Sequence, residues 1–136
     1  MSWRDSVPER VQADLDGLLD AAIGLAEKKL SERGEFFPFA MAVDASGGTR
    51  VIESAADTAQ QAREVNISAL RRMRSEIRAA AVVVDVLVPE TGTAAIEAHF
   101  EHRDGPAISV LEPYTVTGGE VSAEPLEAFT AGHVVW

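Results

Sequence analysis

The residues best placed for chemistry are two carboxylates and an imidazole that alternate along one short segment: Glu97, His99 and Glu101. Successive side chains of a β-strand point to opposite faces, so in a strand these three share one face. Carboxylate and imidazole groups are ligands for a divalent metal ion when a fourth ligand comes from elsewhere. Because antiparallel sheets commonly have one solvated side, we interpret the segment first as a water-exposed strand face, with a metal site as the alternative.

Asp85 lies in an apolar, β-branched run at residues 82–88. An unpaired carboxylate is costly to bury, so we expect a cation to pair with it, and Arg78 and Arg103 are the candidates. The alternative is a catalytic acid whose pKa is raised by burial. No second carboxylate or nucleophile is placed beside Asp85 by the sequence, which favours the paired structural role.

His102 falls on the same strand face as the apolar Phe100. A histidine there either carries protons between Glu112 and solvent or is a partly buried ring hydrogen-bonded to the backbone. We favour the backbone-bonded ring, and His102 stays a candidate ligand-binding residue together with Asp85.

Three arginines, Arg71, Arg74 and Arg78, follow the three- and four-residue spacing of one helix face. Such a basic stripe could bind a phosphate or an acidic partner. It could also match acidic residues within the chain or across a dimer, which we favour because no aromatic residues are interleaved for nucleic-acid stacking.

Composition excludes several classes of site. The 136 residues include no cysteine, which rules out disulfide frameworks, thiolate metal sites and cysteine nucleophiles. No Gly-x-Ser-x-Gly elbow and no glycine-rich phosphate loop is present. No apolar run is long enough to span a membrane and the first residues lack signal-peptide order, so we expect a cytoplasmic protein.

Charge is divided unevenly along the chain. Residues 79–136 contain nine acidic residues and one basic residue, a net charge of −8, whereas residues 1–78 contain thirteen and eleven, a net charge of −2. An acidic surface repels phosphate backbones and attracts basic proteins. We therefore expect no nucleic-acid partner and regard a basic protein as a possible partner.

Two helices are predicted from apolar residues that recur at three- and four-residue steps. The first begins after the capping-box sequence at residues 6–9 and ends at Gly34. The second begins after a similar box at residues 57–60 and ends near Ala80.

Strands are predicted at residues 36–43, 49–54 and 82–88, followed by an antiparallel hairpin over residues 94–111. A three-residue hairpin loop, Arg103-Asp104-Gly105, puts Phe100 opposite Ile108 on the core face. It also places Gly105 in the left-handed conformation.

The segment 113–136 gives weaker signals. A tight turn is predicted at residues 117–120, a short helix at 124–129 and a last strand at 133–136. The apolar end of the segment should be docked, because an exposed Val-Val-Trp cluster would be adhesive. Whether the segment completes the sheet stays open.

The predicted order is α-β-β-α-β-β-β plus a tail, in one domain over residues 1–136. This order predicts an α+β two-layer sandwich, with two helices packed on a mostly antiparallel sheet of about five strands.

Two resemblances accompany this prediction. The segments GEFFPFA (34–40) and EHRDG (101–105) resemble those of a group of small uncharacterised bacterial proteins, which implies a shared fold. The element order resembles that of roadblock and dynein light chain domains, which implies a small dimeric scaffold that binds proteins.

The function expected from these observations is a non-catalytic protein-interaction or regulatory module that forms a homodimer and uses no cofactor and no membrane. One alternative is a small metal-dependent or small-molecule-binding enzyme that uses the face of Glu97, His99 and Glu101. Another is an acidic immunity or antitoxin-like protein that masks a basic toxin surface.

Overall fold

The computed structural model describes residues 6–136, in which the chain forms two α-helices and seven β-strands. In chain order the elements are α1 (Glu9–Arg33), β1 (Phe39–Asp44), β2 (Thr49–Ile52), α2 (Ala59–Arg72), β3 (Ile77–Val88), β4 (Thr93–His102), β5 (Ala107–Thr117), β6 (Glu120–Ala123) and β7 (Glu127–Ala131). All the strand pairs are antiparallel. The predicted α+β class is confirmed, with seven strands in place of about five.

The two additional strands come from the last part of the chain. The sheet order is β2-β1-β3-β4-β5, and both β6 and β7 pair with β5. β7 pairs with residues 107–111 and β6 with residues 114–117. The short helix predicted at 124–129 is wrong, because the free edge of β5 offers backbone hydrogen bonds that β7 satisfies as a strand. Residues 113–131 thus complete the sheet, and the last strand predicted at 133–136 is wrong, because these residues lie outside the strands.

The two helices lie on opposite faces of the sheet. Phe39 and Met41 of β1 belong to the larger core, which α1 covers with its apolar stripe. Ala40 and Ala42, whose side chains point the other way, belong to a smaller core with Leu70 of α2. The expected two-layer arrangement is therefore wrong, since the sheet lies between α1 and α2.

The ends of the two helices agree in part with the predicted capping residues. α1 begins after Pro8 with no side-chain cap, so the box predicted at residues 6–9 does not form, but α1 ends as predicted at Gly34, with φ of 79°. At α2 the Thr58 hydroxyl accepts a hydrogen bond from the backbone N–H of Gln61, one residue later than predicted. Neither helix of the described chain is long and apolar enough to cross a membrane.

α2 ends at Arg72 rather than near Ala80, and a β-bulge explains the difference. In β3 the register with β1 shifts by one residue, so Arg78 is the extra residue of the bulge. Ile77 and Ala80 therefore face the same side and both join the smaller core. Their three-residue spacing imitates the period of a helix, which is why the sequence pattern predicts a helix as far as Ala80.

The β4–β5 hairpin has the predicted register, with Phe100 opposite Ile108. The predicted left-handed conformation of Gly105 is wrong, because its φ is not positive. A Cβ atom on Gly105 would instead lie 2.7 Å from Cγ1 of Val11, a fully buried residue of α1. Glycine is needed here for close packing of the hairpin loop against α1.

We expect Gly105→Ala to destabilise the protein by about 1–3 kcal/mol, because the added methyl group overpacks the contact with Val11. Urea unfolding measures the change. A matched control is Gly24→Ala in α1, where a Cβ meets no atom within 4 Å; it should stabilise by about 0.5–1 kcal/mol. Equal effects of the two substitutions would contradict the proposed clash.

Candidate functional site

Glu101 is the centre of a network that holds residues 133–136, here called the tail. Its side chain is fully buried, and each carboxylate oxygen accepts two hydrogen bonds. Oε2 accepts from Nε2 of His99 at 2.6 Å and from the backbone N–H of Val134 at 2.9 Å. Oε1 accepts from the next two backbone N–H groups at 2.8 and 3.0 Å. The water-exposed face predicted for this segment is therefore wrong at Glu101, which the tail covers.

These hydrogen bonds hold Glu101 in its ionised form. Burial disfavours the charge, but the bonds from His99 and from three backbone N–H groups outweigh burial and lower the pKa from 4.5 to about 2. Glu97 lies at a different register position on this face, opposite Val84 and Leu111. Among residues 6–136, no group of three or more histidine or acidic side chains is arranged to hold a metal ion. Of the three predicted ligands, the structure thus brings His99 and Glu101 together, and Glu101 also binds backbone N–H groups of the tail.

The predicted arginine stripe does not form, because α2 ends before Arg74 and Arg78. The Nε atom of Arg71 donates to the carbonyl of Val134 at 2.6 Å, and Nη1 of Arg74 donates to the carbonyl of Val135 at 3.2 Å. These two arginines therefore bind the tail backbone. Arg78 belongs to another network, on the α1 side of the sheet.

His102 is fully buried and has protein partners on both ring nitrogens. Nε2 donates to Oδ2 of Asp14 at 2.9 Å, and Nδ1 accepts from the backbone N–H of Asp104 at 3.0 Å. Asp14 also accepts from Arg78 at 2.9 Å. Burial raises the pKa of Asp14, but the bonds from His102 and Arg78 outweigh it, so the net shift is downward. The favoured backbone-bonded ring agrees with this geometry, which joins α1 to the β4–β5 hairpin.

Asp85 has a different partner from either arginine expected. The hydroxyl of Tyr114 donates to Oδ1 of Asp85 at 2.5 Å. Burial, followed by this bond to a carboxylate, raises the pKa of Tyr114. Arg78 instead pairs with Asp14, and Arg103 lies next to Asp104. The partner of Asp85 is therefore a neutral hydroxyl group, whereas the sequence predicted a cation.

Two carboxyl groups that the sequence analysis does not place together, Glu27 of α1 and Glu112 of β5, interact in the structure. Glu112 is 4 % exposed, and its Oε1 atom has no hydrogen-bond partner. Burial, and then the hydrogen bond and charge of Glu27, raise the pKa of Glu112 to about 8. Glu112 is therefore largely protonated at neutral pH. A sequence signal exists, because strand alternation puts Glu112 on the core face with Ile108 and Val110.

Two surface grooves lie away from all of these groups. One, of about 800 Å³, runs beside the first turns of α2 and is lined by residues that include Asp57, Gln61, Glu64 and Val65. The other, of about 180 Å³, lies between the end of α1 and the loop before β1, beside Phe37. None of the candidate residues predicted from the sequence lines either of these two grooves.

The described contacts assign the candidate side chains to three networks. Glu101 and two arginines bind the tail, and His99 binds Glu101. His102 and Asp85 take part in two separate polar contacts on the α1 side. The resemblances inferred from the sequence stay expectations. Compared with known proteins, the chain matches no protein-family model, no curated protein and no solved structure.

Proposed function

We propose that the chain is a non-catalytic protein-interaction module that binds a basic protein through the open part of the sheet on the α2 side. This surface, here called the open face, is formed by side chains of β3, β4, β5 and β7 that point away from α1. Its apolar members are Val84, Val86, Leu111, Pro113 and Phe129. The observation that carries the proposal is this half-exposed apolar surface beside carboxylates.

Strand register makes the open face continuous. One row of paired residues crosses four strands. From β3 to β7 it consists of Val84, Glu97, Leu111 and Glu127. All four residues are at least partly exposed. Phe129, in the neighbouring row, is 51 % exposed. Contiguous exposed apolar surface bordered by polar groups is typical of protein-binding sites.

Charge identifies the kind of partner. Glu97 and Glu127 lie within or beside the apolar rows, and from residue 79 onward the chain has one basic residue, Arg103, in the β4–β5 loop. A partner with lysine or arginine around an apolar contact would complement this surface. A second copy packed on the same face would oppose carboxylates to carboxylates, which disfavours the homodimer as the use of this face.

Site-specific photo-crosslinking in the cells that produce the protein tests this proposal. A benzophenone amino acid replaces Phe129 on the open face or, as the matched control, Val51, which is 49 % exposed in β2 at the opposite edge of the sheet. We expect a crosslink from position 129, absent from position 51, to a protein of net positive charge. A crosslink to a second copy of the chain, or equal labelling from both positions, would contradict the proposal.

The purified partner then gives a quantitative test. At about 150 mM salt we expect Glu97→Lys with Glu127→Lys to weaken binding by about 10-fold or more, with most of the loss in the association rate. Glu32→Lys with Glu64→Lys, at exposed positions of α1 and α2, makes the same change in net charge and should change binding by about 2-fold at most. Equal losses of affinity in the test and control variants would show that the partner does not bind at Glu97 and Glu127.

A further inference from the structure

The tail is held by groups that recognise main-chain atoms. Three successive backbone N–H groups, from Val134 to Trp136, donate to Glu101, and two backbone carbonyls accept from Arg71 and Arg74. These five bonds use every N–H from residue 134 to 136 and the carbonyls of residues 134 and 135. The binding groups thus contact mainly backbone atoms of the tail, whose chain bends at Val134 so that three successive N–H groups face one carboxylate.

The tail has one fully buried side chain, that of Val135. Val135 is 2 % exposed and lies in the smaller core with Ile67 and Leu70 of α2. Its two neighbours, Val134 and Trp136, are partly buried against the same cluster. A central apolar side chain flanked by two less enclosed ones is the pattern of a peptide seated on a surface with one anchoring pocket.

The groups that hold the tail belong to fixed elements. Glu101 and His99 lie in β4, which pairs along both edges with β3 and β5. Arg71 is in the last turn of α2. The tail itself is joined to β7 by Gly132, an exposed residue around which a Cβ would meet no atom within 4 Å. Glu101, His99 and Arg71 are therefore positioned by the sheet and α2, and Arg74 lies in the turn that follows α2. The tail is attached through Gly132, and Nε2 of His133 contacts the carbonyl oxygen of Gly105 at 3.0 Å.

We propose that Glu101, Arg71, Arg74 and the pocket around Val135 form a peptide-binding site that the chain's own tail occupies. Its ligand in a partner protein is a proline-free segment that bends in the same way, with three consecutive free N–H groups and an apolar residue at the middle one. This site is separate from the open face, and the proposal goes beyond the function proposed above. The tail acts as an internal competitor, so a partner segment binds when the tail leaves.

The test uses the full chain with Val135→Pro, which removes the N–H donor that binds Oε1 of Glu101. The probe is a fluorescent peptide with the sequence of residues 132–136, acetylated and amidated, and binding is followed by fluorescence anisotropy. A tethered tail competes at an effective concentration on the order of 1 mM, so the unaltered chain should bind the probe about 30-fold or more weakly than the variant.

Two controls address the mechanism. A peptide N-methylated at the positions of Val134 and Val135 loses two donors and should bind the Val135→Pro chain about 10-fold or more weakly. Adding Glu101→Gln to that chain should cause a similar loss for the unmethylated probe. A folded Val135→Pro chain that does not bind, or that binds both peptides equally, would overturn the proposal.

Hydrogen exchange on the unaltered protein keeps the proposal testable if Val135→Pro does not fold. A tail bound as a ligand opens locally, so amides 134–136 should exchange about 100-fold or more faster than those in the centre of β3 and β4. Exchange of these amides only through global unfolding would show that the tail is an integral part of the core. That result would also overturn the proposal.

Discussion

The stability of the protein is expected to be greatest near pH 5 and to decrease at higher and lower pH. The decrease at higher pH comes from Glu112, whose pKa in the folded protein is about 8 against an ordinary value of 4.5. A carboxyl group with a raised pKa stabilises the fold while it is protonated. This stabilisation is complete below pH 4.5 and is lost as the pH rises toward 8, by on the order of 3 kcal/mol.

Urea unfolding between pH 4.5 and 8.5 measures this decrease, at low protein concentration because the sequence pI is about 4.6. Glu112→Gln is the decisive variant, since glutamine keeps the size of the side chain and stays neutral. The variant should lose most of the decrease above pH 5 and exceed the unaltered protein in stability at pH 8. If both proteins give parallel curves over this range, the raised pKa of Glu112 is contradicted.

Glu101 is expected to contribute to stability with the opposite pH dependence, which Glu101→Gln should remove. The folded pKa of Glu101 is about 2, below its ordinary value of 4.5, so its ionised form stabilises the fold above pH 4.5. That contribution disappears as the pH falls from 4.5 toward 2. At neutral pH the substitution should cost about 3 kcal/mol, because an amide nitrogen replaces an oxygen that accepts backbone N–H groups.

The matched control for this prediction is Glu97→Gln, on the same strand face but half-exposed. It should change the free energy of unfolding by about 0.5 kcal/mol at most. Tryptophan fluorescence in a Trp3→Phe background, which leaves Trp136 as the one tryptophan, gives a second readout of tail release in the Glu101 variant. Equal costs for the two substitutions would contradict a specific role of Glu101 in holding the tail.

Local patterns predicted much of the fold because the physics behind them is local. Alternation in the β4–β5 hairpin has one register that buries Phe100 and Ile108 together, and that register is observed. The glycine at the end of α1 is similarly determined by the last helical turn. The end of α2 was not predictable in this way, since a bulge at Arg78 gives a strand the apparent spacing of a helix.

The candidate site was harder to predict because its contacts are distant in sequence. Glu101 is buried by residues 33 to 35 positions later, and nothing near it in the chain signals that cover. Asp85 illustrates a second difficulty, because a hydroxyl 29 positions away replaced the cation that charge alone suggested. Glu112 was the accessible case, since its position on the core face of β5 follows from strand alternation.

The most direct test of the proposed function is native mass spectrometry of the protein isolated at low salt from the cells that produce it. We expect a complex of one copy of the chain with one basic protein, lost at high salt and absent for the variant with Glu97→Lys and Glu127→Lys. Recovery of the chain alone, of a dimer of the chain, or of the same complex with the double variant would contradict the account.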